Sequence, residues 1–367
     1  MAAGKDNAIR LFLAGDVMTG RGIDQILRHP GDPQLQEAWA TSAADYVGLA
    51  EGRSGPIPRG VKDDYIWGDL LTDLDRHGCD LRIVNLETAI TTANKPAPKG
   101  INYRMNPANI SVLTAARIDA CALANNHVKD WGDAGVTETL DTLDRAGIAC
   151  AGAGRDAQAA GAVAVLPVRG GGRVLLLAFC TFDSGVPPDW AAGQAQPGVN
   201  LLPSDPVAAV QRAVARLRRP GDILIVSLHW GGNWGHDVPV WQRRLAHALI
   251  DEAGVNMVFG HSSHHPKAIE IADGGIVFYG CGDLINDYEG IEGHEVFRPD
   301  LGLAIFLDLD RHRGPVRKLE LVPFKRRRFR LQKADREDAA WLAQTLAQQS
   351  VGLDLRLTAD GAIRHDG

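Results

Sequence analysis

The chain has 367 residues, 45% hydrophobic and 23% charged, with a formal net charge of −6, the profile of a soluble globular protein with material for one large domain or two ordinary ones. So mild an acidic balance excludes nucleic acid as an expected partner, and no window approaches the roughly 20 apolar residues of a membrane span. The five cysteines (Cys79, Cys121, Cys150, Cys180 and Cys281) form no C-x-x-C pair; Cys121, Cys150 and Cys180, inside apolar runs, read as small buried hydrophobes and Cys281 as a packing residue, in a reducing, cytoplasmic setting.

Lys5, Asp6 and Arg10 interrupt the N-terminus, and the apolar run 11–14 is too short for a secretion leader. Residues 9–14 read as a strand that delivers Gly15-Asp16-Val17-Met18 at its end. A short helix is expected near 23–28, and 31–62, rich in Pro, Gly and Arg, reads as a surface insertion. Over 63–77, Ile66, Leu70, Leu71 and Leu74 share a helical face. The strand 81–84 leads into Asn85-Leu86-Glu87, and 91–106 is expected as an exposed flap beside it. The strand 119–124 leads into Asn125-Asn126-His127. A helix follows over 133–145, with Asp133 as its cap and Val136, Leu140 and Leu143 as its stripe.

Strand 148–151 enters a Gly-rich turn, and 162–168 with 173–179 flank Gly170-Gly171-Gly172 as a hairpin. After a helix over 206–217, strand 223–228 ends in His229-Trp230-Gly231-Gly232-Asn233. A helix over 240–253 closes at Gly254, and strand 255–259 ends in Gly260-His261-Ser262-Ser263-His264-His265. Late strands are expected at 268–271, 276–279, 301–309 and 318–322, with a closing helix at 334–349. The basic cluster 325–330 alternates with apolar residues and reads as a solvated strand face. The alternation of strand and helix predicts an α/β fold, with one catalytic domain over 1–330 and a C-terminal helical extension over 331–367.

Five strand exits thus carry Asp, Glu, Asn or His. In an open α/β sheet the carboxyl ends of strands are where ligands bind, so the five predict one site assembled from many loops. Carboxylate, amide oxygen and neutral imidazole suit a divalent ion such as Zn, Mn or Fe. The candidate ligands are Asp16, Glu87, Asn126, His229, His261 and His264, a set suited to metal-assisted hydrolysis. Each histidine alone would read as a hydrogen-bonded structural imidazole; the constellation points to a shared site. Trp230 and Trp234, in a Gly-rich loop, read as an apolar wall for a substrate or as cover for the core edge, the neighbouring glycines favouring the wall.

The ordered set Gly15-Asp16-Val17-Met18, Asn85-Leu86-Glu87, Asn125-Asn126-His127 with Asp130 and Gly132, His229-Trp230-Gly231, and Gly260-His261 with His264 resembles the CapA family. That family, named for poly-γ-glutamate capsule synthesis, sits in the calcineurin-like metallophosphoesterase superfamily. The resemblance spans about residues 9–310 and implies a four-layer αββα sandwich. It implies Asp16 as the first aspartate ligand, Glu87 in the place of the bridging carboxylate, and Asn126, His229, His261 and His264 as the remaining ligands. It implies His127 as the acid toward a leaving group. Met18 stands where the superfamily has a second ligand, so one ion, two weakly held ions, or none are the alternatives.

The stretch from Gly282 to Arg298 departs from the family's plain Gly-Asn-Phe ending and resembles the subgroup that includes lasso-peptide epimerases. That likeness implies Asp16 and His294 as opposed bases at a peptide Cα, with Arg298 steadying the enolate oxygen. His294 also reads as a loop histidine bonded to Glu292 or Glu295. Three functions are therefore expected: hydrolysis of a phosphate ester or polyglutamate-type amide, cofactor-free epimerisation, or a non-catalytic accessory role in capsule synthesis. The expected partner is a small-molecule or peptide substrate.

Overall fold

Strands buried on both faces lie at the centre of a sheet, and that is where the first two strands of the chain are found. In the computed structural model, which describes residues 8–272, 274–310 and 316–366, β1 (Ala8–Val17) pairs in parallel with β2 (Leu81–Leu86), then β3 (Ala120–Ala122) and β4 (Ala149–Ala151). The chain then crosses to a second sheet. There β5 (Ala164–Pro167), β6 (Arg173–Cys180), β7 (Ile223–His229), β8 (Met257–His261), β9 (Ile269–Ala272) and β10 (Gly275–Phe278) lie in the order β9-β10-β8-β7-β6-β5. It returns to the first sheet as β11 (Asp283–Ile285), β12 (Leu301–Asp310), β13 (Val316–Arg327), β14 (Arg330–Lys333), β15 (Arg356–Leu357) and β16 (Ile363–Asp366). The first sheet runs β15-β16-β13-β12-β1-β2-β3-β4, with β11 on the end of β1 and β14 on β13. Lys5 and Asp6 lie outside the described residues.

The period-2 alternation of the second sheet decides its two neighbours. Leu175, Leu177, Phe179, Leu224, Val226 and Leu228 share a core with Val210 and Val214 of helix Pro206–Val214, and with Ala246, Leu249 and Ile250 of helix Val240–Asp251. The alternate residues Leu176, Ala178, Ile225, Met257 and Phe259 join Leu13, Ile83 and Ile305, register partners in the first sheet, in a core between the sheets. Phe12 and Phe306 point to the first sheet's other face, where Phe306 stacks on His77 of helix Leu70–His77, and helices Leu70–His77, Gly132–Arg145 and Arg336–Gln349 contribute Leu74, Val136, Leu143 and Leu346 to the same continuous apolar cluster. The expected αββα layering is thus present. A one-residue slip would exchange the two apolar sets, and full burial of each such side chain contributes about 1.5–3 kcal/mol, so the register is firmly set.

Several elements differ from expectation. The segment 31–62 contains helix Ala43–Ser54, closed by a Ser42–Asp45 capping box and burying Tyr46, Val47 and Ala50, because its apolar positions outweigh its polar composition. Helix Gly132–Arg145 begins before Asp133, with Trp131 at the cap position. The segment 331–367 is more than a helix. Its β16 pairs with β13 and its β15 with β16, extending the first sheet. Among the described residues no helix is long and apolar enough to cross a membrane.

Candidate active site

At the end of β1 the chain must pass close to the loop entering β11. A Cβ on Gly15 would lie 1.9 Å from the Gly282 carbonyl oxygen, so only glycine admits this approach. The Asp16 amide donates to that carbonyl at 3.0 Å. The consequence is a parallel register of Asp16 with Asp283, two carboxylates from positions 267 residues apart in the chain. Asn85, at the end of β2, holds Asp16 and Glu87 together. Its Nδ2 donates to Asp16 Oδ1 at 2.8 Å and to Glu87 Oε2 at 2.5 Å. Its Oδ1 accepts from Asn125 Nδ2 at 3.2 Å, which ties the end of β3 into the same arrangement.

The second sheet supplies the imidazoles. His229 and His261 are register partners at the ends of β7 and β8. His229 Nε2 lies 3.6 Å from Glu87 Oε1, and His261 Nδ1 lies 3.6 Å from Asp16 Oδ1. His264 Nδ1 meets Asp283 Oδ1 at 3.1 Å, and Asn286 Nδ2 donates to Asp283 Oδ2 at 2.7 Å. Two groups of ligand-type atoms result, each within 4.8 Å: Asp16 with Glu87 and His229, and Asp16 with His264 and Asp283. Asp16, rather than Glu87, is the carboxylate common to both.

Burial sets the electrostatics. Burial, then the charges of Glu87 and Asp283, push the Asp16 carboxyl well above its usual range, and burial raises Glu87 to about 8 against the opposing Asn85 bond. Burial strips charge from His261, lowering it to about 3, and holds His229 well below its ordinary value. His264 goes the other way, because the Asp283 carboxylate outweighs burial. Several buried atoms have no hydrogen-bond partner: Asp16 Oδ2, Asn126 Oδ1, His229 Nδ1, and both ring nitrogens of His261. Leaving one such atom unsatisfied costs about 1–3 kcal/mol, and clustered carboxylates lack counter-charge. A divalent cation relieves both conditions, and neutral imidazole with carboxylate and amide oxygen is the donor chemistry such an ion takes.

Beside this cluster, His127 Nδ1 meets Asp130 Oδ2 at 2.7 Å, and its ring stacks on Tyr103 with centroids 3.9 Å apart. Lys99 Nζ lies 2.7 Å from Asp130 Oδ1 and donates to the Asn126 carbonyl. Burial, with Lys99 adding to it, lowers His127 to about 4. The Tyr103 amide donates to Asp130 Oδ2 at 2.6 Å, so one buried carboxylate anchors both the flap and the histidine. A cavity of about 320 Å³ opens over the site, lined by Glu87, Lys99, Asn126, His127, His229 and His264 among others.

The structure therefore brings Asp16, Glu87, Asn126, His127, His229, His261 and His264 to one place. His294 also lines the cavity, stacked on Trp234 with centroids 3.9 Å apart. Asp16 is buried and is not among the cavity-lining residues, and Met18 is buried likewise. Two expectations are corrected. Trp230 is 2% exposed; its Nε1 donates to the Tyr279 carbonyl at 3.0 Å, and its ring belongs to the core under the outer helices. Arg298 lines an adjoining groove, not this cavity, and its guanidinium is engaged by Asp300 and Asp338. Three participants went unassigned in the sequence reading: Asp283, Lys99 and Asn85. For Lys99 the sequence signal is only that it is one of the flap's two lysines, Lys95 and Lys99. Arg21 also lines the cavity, with its charge taken up by Asp287 at 2.6 Å and Glu37 at 3.1 Å.

The chain is similar to known bacterial proteins of capsule and polyglutamine synthesis. Residues 10–288 match the family model described as bacterial capsule synthesis protein PGA_cap, a span that holds every candidate metal ligand and ends before His294. A probable polyglutamine synthesis accessory protein of Mycobacterium tuberculosis strain H37Rv is 44% identical over 97% of this chain and 94% of its own length. The PGA biosynthesis protein CapA of Bacillus subtilis is 28% identical over 77% of this chain and 64% of its own. The capsule biosynthesis protein CapA of Bacillus anthracis is 24% identical over 77% and 61% respectively.

Proposed function

Because the chain belongs to the bacterial capsule synthesis family PGA_cap, we propose that it is a CapA-like, metal-dependent hydrolase of a phosphate ester or a polyglutamate-type amide. The observation that carries this reading is the buried set Asp16, Glu87 and His229, with ligand atoms within 4.8 Å, next to the unpartnered atoms of Asn126, His229 and His261. Asp16, Glu87, Asn126, His229 and His261 would hold a divalent cation, and Asp16, His264 and Asp283 are placed to hold another. An ion bound there supplies Lewis-acid chemistry toward a phosphate or amide oxygen.

The protein's own groups would do the rest. The His127 imidazole, held neutral by burial, would donate an Nδ1–H hydrogen bond to Asp130, which leaves Nε2 to take a proton from the attacking water and pass it to the leaving group. Asp130 steadies the imidazolium that forms, and Tyr103 fixes the ring plane. The Lys99 cation beside them favours negative charge developing in the cavity.

Metal analysis of protein purified without chelators tests the reading. At least one transition metal per chain is expected, and His229→Ala should lose metal and hydrolysis together. A His229→Ala protein with full activity would sink it. Epimerisation by Asp16 and His294 is the second reading, supported by the place of His294 on the cavity wall. It requires both bases to reach one carbon, whereas Asp16 is buried and is not among the cavity-lining residues. Solvent deuterium entering a product Cα, undiminished by chelation, would favour it over hydrolysis. A non-catalytic accessory role would be supported by metal binding without turnover of any ester or amide.

A further inference from the structure

Large apolar side chains left in water are costly, and a group of them around one opening marks a binding surface. Trp39 is 57% exposed, Ile101 40% and Ile291 39%. All three line the cavity above the catalytic cluster, and Trp234 joins them. They come from four separate segments of the chain, so no local sequence constraint explains their meeting.

Each is held in place. Trp39 sits edge-on against Tyr46 with centroids 4.9 Å apart, and Trp234 lies flat on His294 at 3.9 Å. Ile101 is flanked by Asn102, whose Nδ2 donates to the carbonyls of Ala97 and Lys99 at 3.3 Å, and by Tyr103, whose amide is bound to Asp130. The Ile291 amide donates to the Tyr288 carbonyl at 2.9 Å, and the Tyr288 hydroxyl meets that of Tyr103 at 2.7 Å. Segments anchored before binding lose little freedom when a ligand arrives.

The cavity thus has two characters: a floor of Glu87, Asn126, His127, His229 and His264, and a mouth of Trp39, Ile101, Ile291 and Trp234. At about 320 Å³ the space takes a reacting group and one neighbouring side group.

We propose that Trp39, Ile101, Ile291 and Trp234 form a specificity wall that selects substrates with an aromatic or branched apolar group next to the reacting ester or amide. The inference rests on the hydrolase reading for the identity of the reacting group and narrows its substrate class.

Calorimetric titration of the purified protein with phenylphosphonate and with methylphosphonate tests it, since the two share a head group and differ in the apolar part. Phenylphosphonate should bind about tenfold tighter or more, as burial of one ring predicts. The ratio should fall toward one in Trp39→Ser and in Ile101→Ser, and should hold in Val240→Ser, whose side chain is exposed elsewhere. Equal affinities, no binding of either probe, or a ratio indifferent to Trp39 and Ile101 would overturn the proposal. Metal content measured on the same samples judges the hydrolase reading separately.

Discussion

Asp16 and Asp283 are register partners between β1 and β11, and His264 connects to the second of them at 3.1 Å. Met18, in the position where a further ligand was sought, is buried away from the cavity. The carboxylate of Asp283 therefore stands where the sequence suggested a deficit. Asp283→Asn, nearly isosteric, should weaken transition-metal affinity by about tenfold or more, read by competition with a chromogenic chelator. Unaltered affinity and stoichiometry would show that Asp283 serves only to orient His264.

Asn85 joins Asp16 and Glu87 through one amide nitrogen. Asn85→Leu removes both bonds and leaves two carboxyls facing each other without a donor. Chemical denaturation in chelator should show a loss of roughly 1–3 kcal/mol. Saturating Mn²⁺ should restore most of it if the carboxylates bind the ion, because a ligand held only by the folded state stabilises it. A deficit that added metal does not reduce would argue that the pair is structural.

Lys99 is the partner of a fully buried Asp130. Lys99→Met leaves that charge uncompensated and should cost roughly 3 kcal/mol. Asp130→Asn in the same chain should recover at least half of the loss, and a double-mutant cycle measures the coupling. Independent, additive effects would contradict the pairing.

Glu320 gathers His77, Arg76, Lys318 and Arg364 within 3.2 Å. Burial opposes its charge, but these donors hold its carboxyl far below its ordinary value of 4.5. A depressed folded value means the stabilisation is fully present above the unfolded value and is lost as pH falls through the folded one. Wild type should lose stability steadily below about pH 4.5, and Glu320→Gln should be less stable at neutrality with a flatter acid limb. Parallel acid limbs for the two proteins would remove Glu320 from the account.

The two tryptophans of the Gly-rich loop should separate cleanly. Trp230→Ala opens a core and should cost about 3–5 kcal/mol in denaturant melts. Trp234→Ala, half-buried at the cavity, should cost much less while changing ligand affinity. Equal destabilisation by both would contradict their assignment to core and cavity.

The strand exits were legible because each apolar run stops abruptly at Asp, Asn or His, a local pattern that survives folding unchanged. Asp283 was not, because its role depends on β11 docking beside β1 at Gly15, a long-range pairing that no local spacing announces. Trp230 was misread because flanking glycines suggest an open loop. What keeps it inside is the Tyr279 carbonyl, 49 residues away, that satisfies its indole. Strands β15 and β16 escaped notice for a different reason: at two and four residues they are too short for alternation to show.

The chain starts one sheet, builds the whole of the other, and only then comes back to finish the first. On a ribosome this order has a temporal meaning. Asp16 is made early, yet its neighbours His229, His261 and Asp283 emerge only after most of the polypeptide is already outside the tunnel. The full cluster can therefore come together only after Asp283 has emerged, once strands of both sheets are present.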